Sequence, residues 1–343
     1  MSETEPRRGR DVTRDDVARL AGVSSAVVSY VVNDGPRPVA EATRARVQAA
    51  IDKLGYRPNA AARSLIKGRS DLLGLIVPDI RNPYFAALAQ AVEVAARDSG
   101  MNLVLAQGAT ANLAPLVESL SGHLVAGIIT ATIPEPEAVA ITVRSRVPLV
   151  RMSLASQTDR TAIWPDYYGG ARSAVHHLVD VHGHRRVALV IGSDHPDRAD
   201  EPRDDRERGW RDALEARGLP ADQVVRVHWS AAGGREAAGR LLARFPAADA
   251  VFVSADQQAI GLVAGLHEAG VPIPDRIAVA SFDGSPEAAF TVPPLTTASV
   301  PMAAMAEAAV AAVLGGAPAT RAFATELLVR RSCGCDPGAP DAG

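Results

Sequence analysis

Residues 12–33 read VTRDDVARLAGVSSAVVSYVVN, which is the pattern of two short helices joined by a tight turn. Thr13 is placed to cap the first helix, because its side-chain oxygen can accept a hydrogen bond from a backbone N–H of the first turn. Gly22 is placed to end that helix, since glycine adopts the left-handed turn conformation without steric cost. Ser24 can then cap a second helix, so the stretch predicts a helix-turn-helix.

Each predicted helix has an apolar stripe, and the second helix also has a polar outward face. The stripes consist of Val17, Leu20 and Ala21 in the first helix and of Val28, Val31 and Val32 in the second. The outward face carries small or hydrogen-bonding groups that suit a major groove, namely Ser25, Ala26, Ser29 and Tyr30. A third amphipathic helix is expected over residues 41–54. The helix pattern alone fits either a DNA-binding head or a helical hairpin packed against the rest of the chain.

Charge is unevenly distributed along the chain. Through residue 70 there are 13 Lys and Arg against 8 Asp and Glu, a net charge of +5. The whole chain has a net charge of −3, so the remainder carries −8. A basic N-terminal segment on an acidic body is typical of a nucleic-acid-binding head, although a solvated helix surface gives the same count.

Length and composition predict a globular protein of two or three domains, because 343 residues exceed one ordinary domain and 47% of them are hydrophobic. The two cysteines, Cys333 and Cys335, lie near the C-terminus, so the core needs no disulfide and a reducing compartment is expected. Residues 1–10 lack the apolar segment of a signal peptide, and no apolar run is long enough to predict a membrane span. We therefore expect a cytoplasmic protein.

From residue 73 onward, short apolar runs alternate with helical patterns. The runs predict strands over residues 73–77, 102–106, 126–130, 148–152, 186–191, 224–227, 250–254 and 277–281. The helical patterns cover residues 84–98, 170–181, 208–216, 235–244 and 257–269. Strands that are apolar on both faces and alternate with helices predict parallel, doubly wound sheets. So many strands divide more readily between two lobes than within one sheet.

Three segments together resemble the lactose/galactose repressor (LacI/GalR) family of transcriptional regulators. They are residues 12–18, residues 21–33 with their Val, Ser and Asn positions, and GYRPNAAARSL at residues 55–65. The resemblance implies that the second helix reads the major groove and that Pro58–Leu65 is a hinge helix. It also implies that Leu65 is an apolar wedge inserted at a central base step of the minor groove. The alternative for Leu65 is an ordinary apolar linker residue.

The family's DNA contacts carry over to individual positions of this sequence. The resemblance implies phosphate contacts for Thr13, Ser24, Ser29, Asn33, Tyr56 and Asn59, base-facing positions for Ser25, Ala26 and Tyr30, and hinge contacts for Ala62 and Leu65. Tyr30 stands where the family often has Arg, which can bind a guanine through two hydrogen bonds. We therefore expect few direct contacts to base edges, and we expect deformation of the groove by Leu65 to supply more of the sequence specificity.

The resemblance also implies how the chain is divided. The expected fold is an all-α helix-turn-helix head with a hinge helix, followed by an α/β periplasmic-binding-protein-like body of two doubly wound parallel-sheet lobes. The expected bounds are a disordered arm at 1–10, the head at 11–57, the hinge and linker at 58–70, the body at 71–332 and a flexible tail at 333–343. Within the body we expect lobe 1 at about 71–165 and 296–322, and lobe 2 at about 166–295 and 323–332.

Ligands of open α/β sheets bind at the carboxyl ends of the strands, and several pocket residues of the family match positions there. The resemblance implies that Tyr84 and Phe85 pack on the ligand. It further implies that Arg206 binds ligand oxygens and that Asp283 accepts hydrogen bonds from ligand hydroxyl or amine groups. The sequence thus predicts a ligand site assembled from both lobes.

Two pocket assignments stay open, and two positions depart from the family. Asp256 is either a helix cap or a ligand-binding residue, and Asp79 is either a cap or part of the pocket wall. The family commonly has Asn where Ala255 stands, and a polar pair where residues 298–300 read ASV. The charged loop at 194–208 is either a solvated loop or a lid over a charged ligand. The resemblance therefore does not identify the ligand.

No metal, cofactor or catalytic group is expected. His176, His177, His182 and His184 fit the end of a helix and its turn, whereas metal ligands must converge on one point. Cys333 and Cys335 either bind metal or sense redox state or, as is commoner on a glycine-rich tail, are incidental. Gly233-Gly234 lacks the lysine and spacing of a phosphate-binding loop, and residues 281–285 lack the form of a nucleophile elbow. The sequence therefore does not predict an enzyme.

Together these features predict a transcriptional repressor that binds a palindromic, double-stranded DNA operator as a homodimer. A small-molecule effector, a sugar or a sugar derivative, is expected to control it. One alternative is a cytoplasmic sugar-binding protein without a DNA role, which the basic three-helix head opposes. Another is an enzyme on an α/β fold, which the absence of acid–base and nucleophile motifs from the sequence opposes. Operator binding discriminates the first hypothesis from the other two.

Overall fold

The structure, a computed structural model, describes residues 12–32, 37–57, 70–108, 112–152, 161–194, 196, 204–315 and 320–336. The chain separates into two units, Met1–Ser70 and Asp71–Gly343, which are called the head and the body below. No helix within the described ranges is long and apolar enough to cross a membrane.

The head is a three-helix unit whose first helix begins and ends where the sequence predicts. Its helices are α1 (Arg14–Ala21), α2 (Ser25–Val32) and α3 (Glu41–Leu54). Thr13 and Asp16 form a reciprocal capping box at the start of α1, and Gly22 ends α1 at φ 66°. The core of the head consists of Val17, Ala18, Ala21, Val28, Val31, Val47 and Ala50.

Leu20 differs from the predicted apolar stripe, because its side chain is 46% exposed. Successive residues of an α-helix are about 100° apart, so Leu20 lies about 100° away from the centre of the buried stripe. That stripe is formed by Val17, Ala18 and Ala21. A single short helix presents only one narrow face to the other two helices, and Leu20 falls outside it.

The body alternates strands and helices. In chain order they are β1 (Leu72–Val77), α4 (Pro83–Asp98), β2 (Asn102–Gln107), α5 (Ala114–Gly122), β3 (Gly127–Thr130), α6 (Pro136–Ser145), β4 (Leu149–Arg151), β5 (Ala162–Pro165), α7 (Tyr167–His176), β6 (Val187–Gly192), α8 (Asp205–Glu215), β7 (Val224–Val227), α9 (Ala231–Arg244), β8 (Ala250–Val253), α10 (Asp256–Glu268), β9 (Ala278–Asp283), β10 (Thr296–Ser299), α11 (Met302–Val313), β11 (Thr320–Phe323) and β12 (Glu326–Leu328). A π-helical turn at His177–Val181 continues α7, and 3₁₀ turns lie at Pro286–Ala289 and Arg331–Cys333.

The strands form two sheets, and each sheet is the centre of one lobe. Among the described residues, the first sheet has the strand order β11-β5-β4-β3-β1-β2, and its pairs are parallel. The second has the order β12-β10-β9-β8-β6-β7, parallel except for the β10–β12 pair. In the register of the first sheet, Leu75 pairs with Leu105 on one side and Ile129 on the other. A helical head followed along the chain by two doubly wound lobes confirms the predicted fold class.

The chain crosses between the lobes after β5, after β10 and after β11. Because β10 pairs with β9 of the second sheet, the second crossing follows Ser299 instead of lying near residue 295. The C-terminal segment also differs from the expected tail, since Cys333 is only 1% exposed and belongs to the core. The hydroxyl of Ser332 fixes this segment to the second sheet. It donates to the Val279 carbonyl at 2.6 Å and accepts from the Thr296 N–H at 2.8 Å.

Candidate functional sites

A cleft of about 370 Å³ lies at the carboxyl ends of the strands of both sheets. Residues of both lobes line it: Pro78, Asp79, Asn82, Tyr84, Phe85, Ala131 and Met152 from the first lobe, and Tyr167, Asp194, Arg206, Trp229, Ala255 and Asp283 from the second. Its volume lies within the range of small-molecule sites, about 300–1,000 Å³. The structure therefore brings together five of the six predicted ligand-binding residues and leaves out Asp256.

The first-lobe wall is built by residues that follow β1. Asn82 caps α4 by accepting a hydrogen bond from the Tyr84 N–H at 3.0 Å, so the cap is Asn82 and not Asp79. Asp79 lines the cleft and accepts from Nε and Nη2 of Arg81 at 3.0 and 2.9 Å. The rings of Tyr84 and Phe85 meet edge to face with centroids 5.1 Å apart. The wall thus offers an aromatic surface beside a charged rim.

Two tyrosines line the cleft, one from each lobe. Tyr84 lies on α4 of the first lobe, and Tyr167 lies at the start of α7 of the second lobe. Burial raises the pKa of both phenols, to about 12 for Tyr167, so both hydroxyls stay protonated at physiological pH. Each lobe therefore presents a neutral phenol to the cleft.

Arg206 is a rigidly held cation on the second-lobe wall. Its Nε and Nη2 donate to the two carboxylate oxygens of Asp204 at 2.9 and 2.8 Å, and its Nη1 donates to the Ser254 carbonyl at 2.9 Å. The guanidinium carbon lies 4.7 Å from the ring centre of Tyr167 and 5.0 Å from that of Trp229. Burial of Asp204 raises its pKa, but the charge and hydrogen bonds of Arg206 outweigh burial and leave that pKa lowered. The pair is ionised and preorganised.

Asp283 is a buried acid in an unusual backbone conformation. It ends β9 at φ 123°, a region that residues other than glycine rarely adopt, and such strain is concentrated at functional sites. Its Oδ2 accepts a hydrogen bond from the N–H of Asp256 at 3.2 Å. Burial, and then the charge of Asp256, raise the pKa of Asp283 well above its usual range. Asp283 therefore faces the cleft as a carboxyl group that readily holds a proton.

Asp256 lies behind the cleft instead of lining it. It is completely buried at the first position of α10, whose N-cap is Ala255. Its Oδ1 accepts hydrogen bonds from the hydroxyls of Ser281 at 2.5 Å and Thr297 at 2.8 Å. Asp256 is therefore neither the helix cap nor the ligand-binding residue that the sequence left as alternatives. Its hydrogen bonds instead hold β9 and β10 together.

Sequence reasoning missed the aromatic residues of the second-lobe wall, of which Trp229 is the largest. Trp229 comes just after β7, so the rule that ligands bind at strand ends could have identified it. Gly192, at the end of β6, makes room for its indole, because a Cβ added there would lie 2.1 Å from the ring. Tyr167 was also missed, since nothing in the local pattern shows that α7 begins at the cleft.

The predicted DNA-facing residues of the head lie on or beside α1 and α2. Ser25, Ser29 and Tyr30 are partly exposed and Ala26 is exposed, as expected for the outward face of α2. The Ser25 hydroxyl hydrogen-bonds to Asp15, which ties the start of α2 to α1.

Three further residues that are predicted to contact DNA lie within the described part of the head, and the others lie outside it. The Thr13 hydroxyl donates to Asp16 at 2.6 Å within the capping box, and the Ser24 hydroxyl accepts from the Val27 N–H at 3.4 Å. Tyr56 packs against the core of the head. The other predicted contacts, which are Asn33, Asn59, Ala62 and Leu65 with the hinge helix, lie outside the described residues.

Two sequence families match the chain in the order of its two units. Residues 13–59 match the family described as "Bacterial regulatory proteins, lacI family". Residues 175–333 match the family described as "Periplasmic binding protein-like domain". The first match covers the helix-turn-helix, and the second covers most of the second lobe together with its C-terminal segment.

Full-length relatives show the same organisation. The chain is 36% identical over 345 residues to the HTH-type transcriptional regulator MalR of Streptomyces coelicolor, covering 94% of this chain and 97% of that protein. A crystal structure of the Lac repressor dimer bound to operator and an anti-inducer matches with a TM-score of 0.83 at 26% identity, over 94% of this chain and 99% of that one. The structure of the regulator CelR with cellobiose matches with a TM-score of 0.67 at 29% identity, over 94% and 99%. This chain therefore belongs to the LacI family of bacterial transcriptional regulators.

Proposed function

We propose that this protein is a cytoplasmic, homodimeric repressor that binds a palindromic operator. A sugar or sugar derivative that binds in the cleft changes the affinity of the protein for that operator. The observation that carries the proposal is the composition of the cleft, in which Tyr84 of one lobe and Arg206 and Asp283 of the other converge. A ligand that contacts both walls binds with different affinity when the lobes are arranged differently. An effector needs such a difference in affinity to shift the protein between two states.

The chemistry of the cleft favours a polyhydroxylated ligand. Trp229 and Phe85 offer flat apolar faces to the C–H surface of a sugar ring, while Asp79 and Asp283 supply oxygens for its hydroxyl groups. The charge of Arg206 is already balanced by Asp204, so the cleft has no large excess of positive charge to select an anion. One relative, CelR, was solved with cellobiose, and this agrees with a neutral sugar.

On the DNA side, α2 is proposed to enter the major groove through Ser25, Ala26, Ser29 and Tyr30. Hydroxyl groups and helix N-termini near Thr13 and Ser24 are suited to phosphate contacts. A dimer would present two such helices to half-sites about 34–36 Å apart, or a multiple of that spacing. Leu65 of each chain is proposed to wedge open the minor groove between them.

The test is a gel shift with the DNA upstream of the gene itself and of its neighbours, at two salt concentrations. We expect sequence-selective binding that weakens steeply with salt, because released counterions contribute much of the affinity. Leu65→Ala is expected to weaken operator binding strongly, by tenfold or more, since the base step is no longer held open.

Ile66→Ala provides the matched control, as it removes a neighbouring apolar side chain of similar size. Calorimetry with a sugar panel is expected to give the same effector affinity for wild type, Leu65→Ala and Ile66→Ala. Wild-type affinity for operator in Leu65→Ala would disprove the wedge. Sugar binding without affinity for any duplex would favour the alternative, a sugar-binding protein with no DNA role.

A further inference from the structure

Two histidines and two cysteines from distant parts of the chain meet in the second lobe. His177 and His182 lie at the end of α7, and Cys333 and Cys335 lie after β12. One donor atom from each of the four, two ring nitrogens and two sulfurs, fall within 4.8 Å of one another. In the sequence the histidine pair and the cysteine pair are about 150 positions apart, so nothing there connects them. None of them lines the effector cleft.

The distances within this His–Cys cluster agree with those around a tetrahedral zinc ion. The Nε2 atoms of His177 and His182 are 3.3 Å apart. Cys335 Sγ lies 3.5 and 3.3 Å from those two nitrogens, and Cys333 Sγ lies 3.3 Å from His177 Nε2. Zn–N bonds of about 2.0–2.1 Å and Zn–S bonds of about 2.3 Å place tetrahedral N–N and N–S pairs about 3.3–3.6 Å apart and an S–S pair about 3.8 Å apart. A thiol–imidazole hydrogen bond explains one such pair but not the convergence of four donors.

The π-helical turn at His177–Val181 is what places the two histidines together. In a regular α-helix, residues five apart point in directions that differ by about 140°. A π turn has i→i+5 hydrogen bonds instead and is frequently found at functional sites. Here it brings the rings of His177 and His182 to a centroid distance of 4.9 Å. This less common helical form thus brings two candidate metal ligands together.

Gly334 shapes the other half of the cluster. It has φ 104°, a conformation that side chains other than glycine rarely adopt, and it reverses the chain between the two cysteines. A Cβ at this position would lie 3.3 Å from Nδ1 of His182, so a larger residue would press on a ligand. Glycine therefore allows both sulfurs to face the same point.

The surroundings hold the donors in place. The Thr296 hydroxyl lies 3.0 Å from Cys333 Sγ, where it can donate to a thiolate, and it accepts from the Arg330 N–H at 2.9 Å. Ser332, between the two, is anchored to the second sheet by the hydrogen bonds described above. Partners of this kind orient metal ligands.

We propose that His177, His182, Cys333 and Cys335 form a structural zinc site that fastens the C-terminal segment to the end of α7. Imidazole and thiolate are the ligands that zinc prefers, and four protein donors leave no open position for catalysis. The charge of a bound zinc ion would hold both cysteines as thiolates, the form that binds the metal. The site would join segments on the second lobe that are 156 positions apart.

The test is the metal content of the full-length chain, purified without a histidine tag and measured by plasma mass spectrometry after gel filtration. We expect about one zinc ion per wild-type chain, as a closed four-ligand site predicts. Replacing zinc by Co²⁺ is expected to give the visible absorption of a tetrahedral cobalt–thiolate centre. A strong chelator is expected to lower the melting temperature of the protein by several degrees. These measurements need neither DNA nor an effector.

Cys335→Ser and His182→Gln are each expected to abolish zinc retention and the cobalt spectrum. His184→Gln is the matched control, because His184 is not one of the four donors and its Nδ1 lies 3.8 Å from Asp249, although its ring lies beside that of His182 at a centroid distance of 6.1 Å. Both ligand variants change partly exposed residues, and near-ultraviolet circular dichroism checks that they fold. The proposal is overturned if folded wild type holds no more zinc than Cys335→Ser. It is also overturned if wild type is metal-free with Cys333 and Cys335 joined as a disulfide.

Discussion

At the scale of single residues, Asp283 combines a buried carboxyl group with a backbone conformation that is costly for an aspartate. Burial, followed by the charge of Asp256, raises the pKa of Asp283, whereas Arg206 works in the opposite direction. The folded state therefore holds the proton of Asp283 to a higher pH than the unfolded state does. Stability from this group is fully present below the unfolded pKa of about 3.9 and is lost as pH rises through the folded pKa.

We expect Asp283→Asn to stabilise the protein at pH 8, by on the order of 1–2 kcal/mol, because it removes a poorly solvated carboxylate while keeping an acceptor for Asp256. The gain should shrink as the pH falls towards 4, where wild type is protonated as well. Urea unfolding at pH 4.5 and pH 8 measures it, with Asp98→Asn on the exposed face of α4 as the control. A gain that does not depend on pH would contradict the assignment to Asp283.

The residues of the cleft show what could be predicted at this scale. Tyr84, Phe85, Arg206 and Asp283 were predicted through the family resemblance, and all four line the cleft. Trp229 was missed although it follows the end of β7, where ligands of such sheets bind; its packing against Arg206 depends on tertiary structure that the sequence does not show. The four donors of the His–Cys cluster were missed because their convergence depends on how α7 packs against the C-terminal segment.

At the scale of elements, α1 depends on its caps more than a longer helix would. It has eight residues, and isolated helices shorter than about 12–15 residues are marginal in water. The Thr13 side chain accepts from the Asp16 N–H, and Asp16 accepts in return from the Thr13 N–H at 3.0 Å. These two hydrogen bonds satisfy donors that the first helical turn leaves unpaired.

Thr13→Ala is expected to destabilise the head by roughly 0.5–2 kcal/mol, the usual effect of removing an N-cap oxygen. Hydrogen exchange on the full-length chain measures it, because amides of α1 should exchange faster while those of the body keep their rates. Thr13→Ser retains the hydroxyl and should restore most of the protection. Equal loss in Thr13→Ser and Thr13→Ala would show that the methyl group, and not the cap, stabilises α1.

The same scale shows why some elements could be predicted and others could not. The eight predicted strands are present, because most of them are buried on both faces and are therefore apolar along their length. The exception is β2 at the edge of the first sheet, which is apolar in sequence but largely exposed. The missed strands are short or polar; β10 reads TTAS and β11 reads TRAF. The missed helices of the body are α5, α6 and α11. The position of β10 beside β9 is set by pairing across the sheet, which local sequence does not contain.

At the scale of the whole molecule, the proposed switch is a coupling between two sites in different units of the chain. Thermodynamic linkage requires that if an effector weakens operator binding by some factor, operator DNA weakens effector binding by the same factor. A factor of about 5–150 corresponds to a coupling of about 1–3 kcal/mol. Because phosphate contacts belong to the head, the effector should change operator affinity without much change in its dependence on salt.

Arg206→Lys provides the decisive comparison. Lysine keeps the charge but cannot donate to both oxygens of Asp204 while stacked on Tyr167 and Trp229, so effector affinity should fall by tenfold or more. Arg235→Lys makes the same change in an exposed ion pair with Glu268 and should leave effector affinity unchanged. In the absence of effector, wild type, Arg206→Lys and Arg235→Lys should bind operator with the same affinity and with the same dependence on salt. Titrating effector with and without operator DNA, and operator DNA with and without effector, measures the coupling from both sides. A factor of 1 in wild type, which means no coupling, would contradict the proposed switch.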